Sequence, residues 1–250
     1  MSTMTPDQFF NLVRSEGLSG PNIWASLLWS RQELITYSKI YEYLKPGMNV
    51  LDWGAGSGHC SVYLSRAGYI PHAYMLDDPP LIITEEGVRF TKGNHPKILP
   101  FDSASFDAVM AVGVLEHVRE RDGNERDSLN ELRRVLKPDG LLIITHLPNK
   151  FSWAENMLLL ARKFGIKVLA HDFTYSRGDF YHILDGIGFK VIEEGVYNLL
   201  PRSSLNKLLP SKLRNSQNVA KLFEWVDYVG SKVFKPICQN RYYVLQKIEG

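Results

Sequence analysis

Leu51-Asp52-Trp53-Gly54-Ala55-Gly56-Ser57-Gly58 is the stretch on which the reading of this chain turns. Met48 to Trp53 is a short, mostly apolar run that predicts a buried strand, and it leads straight into three alternating glycines. Glycine accepts positive φ and leaves bare backbone for a ligand to pack against, so the loop predicts a sharp turn from strand to helix. A dinucleotide fingerprint needs Gly-x-Gly-x-x-Gly, and His59 in the sixth position disfavours NAD or FAD. No Gly-Lys-Ser/Thr follows, which excludes a Walker loop. A loop used only for tight packing would look the same, but Asp77, 21 residues after Gly56, ends the next predicted strand. A carboxylate there can accept both hydroxyls of an adenosine ribose.

Working outward, the chain alternates predicted helices and strands in the rhythm of a mostly parallel sheet. Helix-like spacing runs from residue 6 to about 45, interrupted by a turn at Gly17 to Pro21. After the glycine loop come a helix over about 58–67, a strand over 71–76, a helix near 79–86 and a weak strand at 88–92. Phe106 to Val112 is nearly continuous in apolar groups and predicts a central strand buried on both faces. A helix over about 125–136 is stopped by Lys137-Pro138-Asp139-Gly140, and Leu141 to Thr145 predicts a further strand. Tyr181 to Gly186 can close a helix, Phe189 to Tyr197 predicts a strand and Arg241 to Lys247 the last one. The division expected is one domain: a helical cap over 1–46, a cofactor-binding core over 47–146, two substrate-lid insertions over 147–180 and 199–238, and the last strand over 239–250.

The length of 250 residues suits one large α/β domain, and 44% hydrophobic with 22% charged residues is an ordinary globular balance. The first ten residues lack a secretion signal and no run approaches a membrane span, so a cytoplasmic location is the expectation. Cys60 and Cys238 are read as buried thiols. Net charge is +2, but residues 201–250 carry nine Lys/Arg against three acids. Segment 199–238 mixes leucines and aromatics with most of those cations, which predicts weak contact with an anionic membrane; the competing reading buries the leucines and leaves the lysines solvated.

Five motifs in order carry a resemblance to a known family. They are Leu51 to Gly58, Asp77, the run Leu99-Pro100-Phe101-Asp102 through Ser105-Phe106-Asp107, Val114-Leu115-Glu116-His117-Val118, and Leu136-Lys137-Pro138-Asp139-Gly140. From about Asn49 to Thr145 the sequence resembles the class I S-adenosylmethionine-dependent methyltransferases, and in its third and fourth motifs the group that includes quinone-pathway enzymes. The resemblance implies a Rossmann-like α/β fold, a seven-stranded mostly parallel sheet with helices on both faces. It implies S-adenosylmethionine as cofactor, held by Asp52, Gly54, Ala55, Gly56, Gly58, Asp77, Asp78, Asn94 and Gly113. Asn94 stands in for the usual aspartate toward the adenine amino group. Some quinone-pathway relatives place a metal-holding glutamate where this chain has Gly113, so no metal is expected. Asp78-Pro79-Pro80-Leu81 superficially matches an amino-group methylation motif, but it follows the wrong strand and lacks the final aromatic, and is read as a helix start.

Methyl transfer from a sulfonium is an in-line displacement, so positioning dominates and a general base helps an oxygen nucleophile. His117 and His146 are the catalytic candidates, being placed after the fourth and fifth strands on the ligand-binding edge; the competing role for His117 is a cap or a bridge to Glu116. His171 and His182 are weaker candidates. The expected reaction is methyl transfer to a small-molecule, glycan or lipid-linked acceptor at an oxygen. The alternative is a non-catalytic S-adenosylmethionine-binding or regulatory protein. Nucleic acid is disfavoured, since the core is net acidic and no RNA-binding module accompanies Tyr242-Tyr243 or Trp225.

Overall fold

Apolar side chains alternate along the central strands of the computed structural model, and this alternation builds its three layers. Residues 3–18, 22–168, 170–201, 205 and 208–248 are described. Ser19 to Pro21 of the expected turn, and Arg202, Lys207 and Glu249 of the basic segment, lie outside them.

The strands are β1 (Asn49–Trp53), β2 (Ile70–Met75), β3 (Arg89–Lys92), β4 (Phe106–Val112), β5 (Leu136–Pro148), β6 (Phe189–Tyr197) and β7 (Asn240–Lys247). They form one seven-stranded sheet in the order β3-β2-β1-β4-β5-β7-β6. Six strands run in one direction, and β7 alone runs antiparallel, between β5 and β6. Val50, Ala108, Met110, Ile143 and Val244 point to one face. Leu51, Val109, Leu142, Ile144 and Leu245 point to the other. Each face needs a helical cover, because a parallel sheet exposes apolar groups on both sides.

The first face is covered by α1 (Pro6–Ser15), α3 (Leu34–Tyr43) and α4 (His59–Arg66), through Phe9, Phe10, Tyr37, Ile40, Val62 and Tyr63. The second is covered by α6 (Glu125–Val135) and α8 (Arg177–Leu184), through Leu129, Leu132, Phe180 and Leu184. The short helices α2 (Leu27–Ser30) and α5 (Leu81–Glu85) complete the first half of the chain. The region 147–180 holds α7 (Trp153–Lys163), and 199–238 holds α9 (Ser211–Arg214) and α10 (Gln217–Val233).

Two boundaries differ from the sequence reading. Lys137 to Gly140 does not end α6 in a separate turn; β5 already starts at Leu136. The pairing to β4 slips between Phe106 and Ala108, and Asp139 takes φ +59°, so the turn residues survive as an irregularity inside a long strand. The helix that Tyr181 to Gly186 is expected to close starts at Arg177, inside the insertion read as running to 180, because Ser176 and Asp179 form a capping box ahead of it. Both cysteines are free and buried, as read.

Candidate functional site

Strand order reverses at β1, whose neighbours β2 and β4 connect in opposite directions along the sheet, and this is where open α/β sheets leave a crevice at the strands' carboxyl ends. The glycine loop lies at that crevice, with Gly54 and Gly56 in its floor and Gly58 at the start of α4. All three take positive φ. A Cβ on Gly54 would meet Val114 at 2.5 Å, and one on Gly58 would meet Ile83 at 2.7 Å, so these two let neighbouring segments pack closely. A Cβ on Gly56 would meet only the Gly54 carbonyl, at 3.7 Å. The space above Gly56 is open, and Gly56 lines two cavities.

The smaller cavity, about 180 Å³, is walled by Trp53, Tyr74, Met75, Leu76, Pro96 and Val118, with Asp77 at its edge. The larger, about 450 Å³, is walled by Asp52, Ala55, Glu33, Glu116, His146, Glu155 and His171 among others. Gly54, Gly56, Gly113 and His117 line both. One chamber is an apolar slot ending in an exposed carboxylate, which suits a nucleoside with its ribose toward Asp77. The other is lined with titratable groups. Arg121 Nη2 stands 3.5 Å from Asp77 Oδ2, and this long, exposed contact leaves the carboxylate able to accept other donors.

Of the residues read as cofactor ligands, Asp52, Gly54, Ala55, Gly56, Asp77 and Gly113 line these chambers. Gly58 acts through packing at the start of α4. Asp78 is exposed, pairs with Lys92 at 2.7 Å and lines neither chamber. Asn94 is also exposed and outside both walls; Pro96, two residues on, occupies the wall. Asp52 is buried, and desolvation pushes its carboxyl up to about 6 although Ser61 Oγ donates to it at 2.6 Å.

His117 is half exposed, and its Nδ1 faces Glu120 at 2.9 Å rather than Glu116. His146 is deeper. It follows Thr145 at the end of β5, where the ladder to β7 slips between Ile144 and Leu147, and it takes φ +59°. A non-glycine residue held there is strained, a mark of sites where a side chain is re-aimed. The Tyr197 hydroxyl accepts the His146 N–H at 2.6 Å and holds the bend. Glu33, from the N-terminal region, places Oε2 2.9 Å from His146 Nε2. Burial opposes the imidazolium, but the charge of Glu33, with Glu116 behind it, outweighs burial and raises the His146 pKa. His146 Nδ1 lies 3.4 Å from the Asn240 amide, another group of the larger wall.

The sequence missed Glu33, 113 positions before His146, and the burial of Glu116. Nothing in the sequence set Glu33 apart from Asp7, Glu16 and Glu42, the other acids of the cap. Glu116 is 3% exposed, its Oε2 has no partner among the described residues, and burial holds its carboxyl above the usual range. His171 comes from the first insertion with Nδ1 3.2 Å from Glu155, while His182 is exposed and outside both walls. Glu116, His117 and His171 offer ligand atoms that all lie within 4.8 Å of one another, a set able to hold a divalent cation.

Residues 51–144 match a family model described as a methyltransferase domain. The chain is 32% identical over 108 residues to sterol 24-C-methyltransferase ERG6B of Gibberella zeae, 39% of this chain and 27% of that protein. It is 30% identical over 110 residues to the ubiquinone/menaquinone biosynthesis C-methyltransferase UbiE of Bordetella avium, covering 40% and 41%. An uncharacterised Methanocaldococcus jannaschii protein, MJ0638, is 33% identical over 55% of this chain and 52% of its own length. The chain thus spans about half or less of these relatives. Among solved structures, an S-adenosylmethionine-dependent methyltransferase of Methanosarcina mazei superposes with TM-score 0.57 at 20% identity, covering 86% and 99%. The [4+2]-cyclase SpnF superposes with TM-score 0.56 at 17% identity, covering 100% and 98%. These likenesses establish the fold.

Proposed function

We propose that this chain, which belongs to the class I S-adenosylmethionine-dependent methyltransferases, moves a methyl group onto an oxygen of a small-molecule, glycan or lipid-linked acceptor. The observation that carries the reading is a pair of neighbouring chambers that share Gly54, Gly56, Gly113 and His117 in their walls, one mostly apolar and including Asp77, the other walled by Glu33, His146 and Glu116. When bound, S-adenosylmethionine supplies a sulfonium methyl group open to in-line attack. The chain's own residues do the rest. The open space at Gly56 admits the ligand where any side chain would stand, and Asp77 is placed to accept the ribose hydroxyls. In the larger chamber Glu33 favours the His146 tautomer with its proton on Nε2, leaving Nδ1 to take a proton from the acceptor hydroxyl. Tyr197 fixes the imidazole through the His146 backbone. The arrangement supplies positioning and a base, which is what this displacement asks of a protein.

The test is a screen of hydroxylated acceptors, lipid-linked, glycan and phenolic, read by release of S-adenosylhomocysteine. His146→Ala should lower turnover about 10²- to 10⁴-fold, the usual worth of a general base, with cofactor affinity kept. A protein that binds S-adenosylmethionine yet releases no product with any acceptor class would instead be a non-catalytic binding or regulatory subunit.

A further inference from the structure

Two helices of the lid turn apolar stripes outward. On α7, Trp153, Met157, Leu160 and Phe164 recur at helical spacing along one face, and all are exposed, Phe164 at 77%. On α10, Leu222, Trp225, Val229 and Val233 do the same, Trp225 at 63%, while Ala220, Asp227 and Gly230 mark the opposite, buried face. A surface helix ordinarily buries its apolar stripe. Both of these helices are anchored by a different face and leave a second apolar one outside, and contiguous exposed apolar surface marks an interaction site. The two helices meet at Leu199: its carbonyl accepts the Trp153 indole N–H at 2.7 Å, and its side chain packs on the Gly230 backbone.

Charge selects the partner. The acids of these helices all face inward. Glu155 receives the His171 backbone N–H, Glu224 pairs with Arg31, and Asp227 receives the Leu200 N–H at 2.8 Å. The cations stay outside: Lys163 and Lys167 at the end of α7, and Lys221, Lys232 and Lys235 along and beyond α10, are all exposed. Apolar groups including two tryptophans, rimmed by lysine and free of acids, complement a negatively charged lipid surface. A second copy docked through the same face would set lysines against lysines. No helix among the described residues is long and apolar enough to cross a membrane, so the contact lies along the surface.

We propose that the outward faces of α7 and α10 dock on an anionic lipid bilayer. The inner face of α7 supplies Glu155 and Leu158 to the wall of the larger cavity, so docking brings that cavity against the membrane, where an acceptor with a lipid tail resides. The docking itself does not depend on the methyl-transfer reading.

The experiment is co-sedimentation of the full chain with vesicles of phosphatidylcholine, with and without about a third phosphatidylglycerol, at low and high salt. Binding is expected to the anionic vesicles at low salt only. Replacing Lys221 or Lys163 by Gln should weaken it by about fivefold each. Trp225→Glu and Met157→Glu should abolish it; both sites are exposed, and an unchanged melting curve and unchanged S-adenosylhomocysteine affinity show that the fold is kept. A chain that stays in the supernatant with both vesicles at low salt overturns the proposal. So does equal binding to neutral vesicles, or a dimer in solution that Trp225→Glu dissociates while no vesicle is bound.

Discussion

Gly56 and Asp77 were legible as a pair because each is dictated by local chemistry: an open left-handed turn and a carboxylate one strand away. Gly56→Val should abolish S-adenosylhomocysteine binding in calorimetry, since its side chain would enter the open space over a residue that lines both chambers. Asp77→Ala should weaken binding by about 1–3 kcal/mol, the scale of lost hydrogen bonds to a charged acceptor. Equal affinities for variant and wild type would remove Asp77 from the site. Asp78 and Asn94, read as ligands on the same grounds, stand outside both walls. They sit at the right sequence distance, but the chain beyond β2 and β3 turns their side chains to solvent. His146 carries a pH prediction. Its folded pKa is raised, so its contribution to stability is complete below the unfolded value of about 6.5 and is lost as pH climbs through the folded value. Urea unfolding should therefore show a gap between wild type and Glu33→Gln that is wider at about pH 6 than at about pH 9. Turnover should rise with pH across the same window as the base loses its proton, and Glu33→Gln should move that rise to lower pH. An unmoved profile would uncouple Glu33 from the base.

At the scale of elements, strands and core helices were readable because their apolar spacing is set by the sheet they cover. The lids were not. Helix α7 has only Ala154 fully buried, and the periodic apolar stripe it does carry faces outward, so spacing misleads about which face turns inward. The start of β5 was hidden by Lys137 to Gly140, whose local preference for a turn is absorbed into the strand by pairing with β4. The junction of the glycine loop with α4 offers a test of how tightly these elements fit. Gly58→Ala would place a Cβ at φ +82° against Ile82 and Ile83. The backbone conformation costs about 1–2 kcal/mol and the crowding about 1–3 kcal/mol more. A urea midpoint within error of wild type would show that α5 yields freely.

For the whole molecule, the sequence placed one domain with a cap and lids, but not how they are tied. Arg31 is buried and joins Asp7 of α1 to Glu224 of α10, with Nη2 2.9 Å from Glu224 Oε2. Lys39 of α3 reaches Glu193 of β6 at 2.7 Å. The Glu224 and Glu193 ties link positions 193 and 154 residues apart and leave no periodic trace. Arg31→Ala strands a mostly buried Glu224 and should cost about 3 kcal/mol, the lower end for removing one partner of a buried pair. Because the N-terminal region walls only the larger chamber, the same variant should lower turnover far more than cofactor affinity. A parallel loss of both would mean that the cap also holds the smaller chamber.

The position of β7 between β5 and β6 has a consequence for how the protein is made. During synthesis the chain emerges from its N-terminal end, and β6 has no place in the sheet until residues 240–247 arrive to bridge it to β5. Until then the edge of β5 is an unpaired row of backbone donors and acceptors, the kind of template on which nascent chains stick to one another. His146 lies at the end of that edge, and Asn240 beside it is the first residue of the strand that closes it. A chain stalled just before residue 240 therefore carries His146 and nearly all of the larger chamber's wall, but on a strand edge that nothing yet closes.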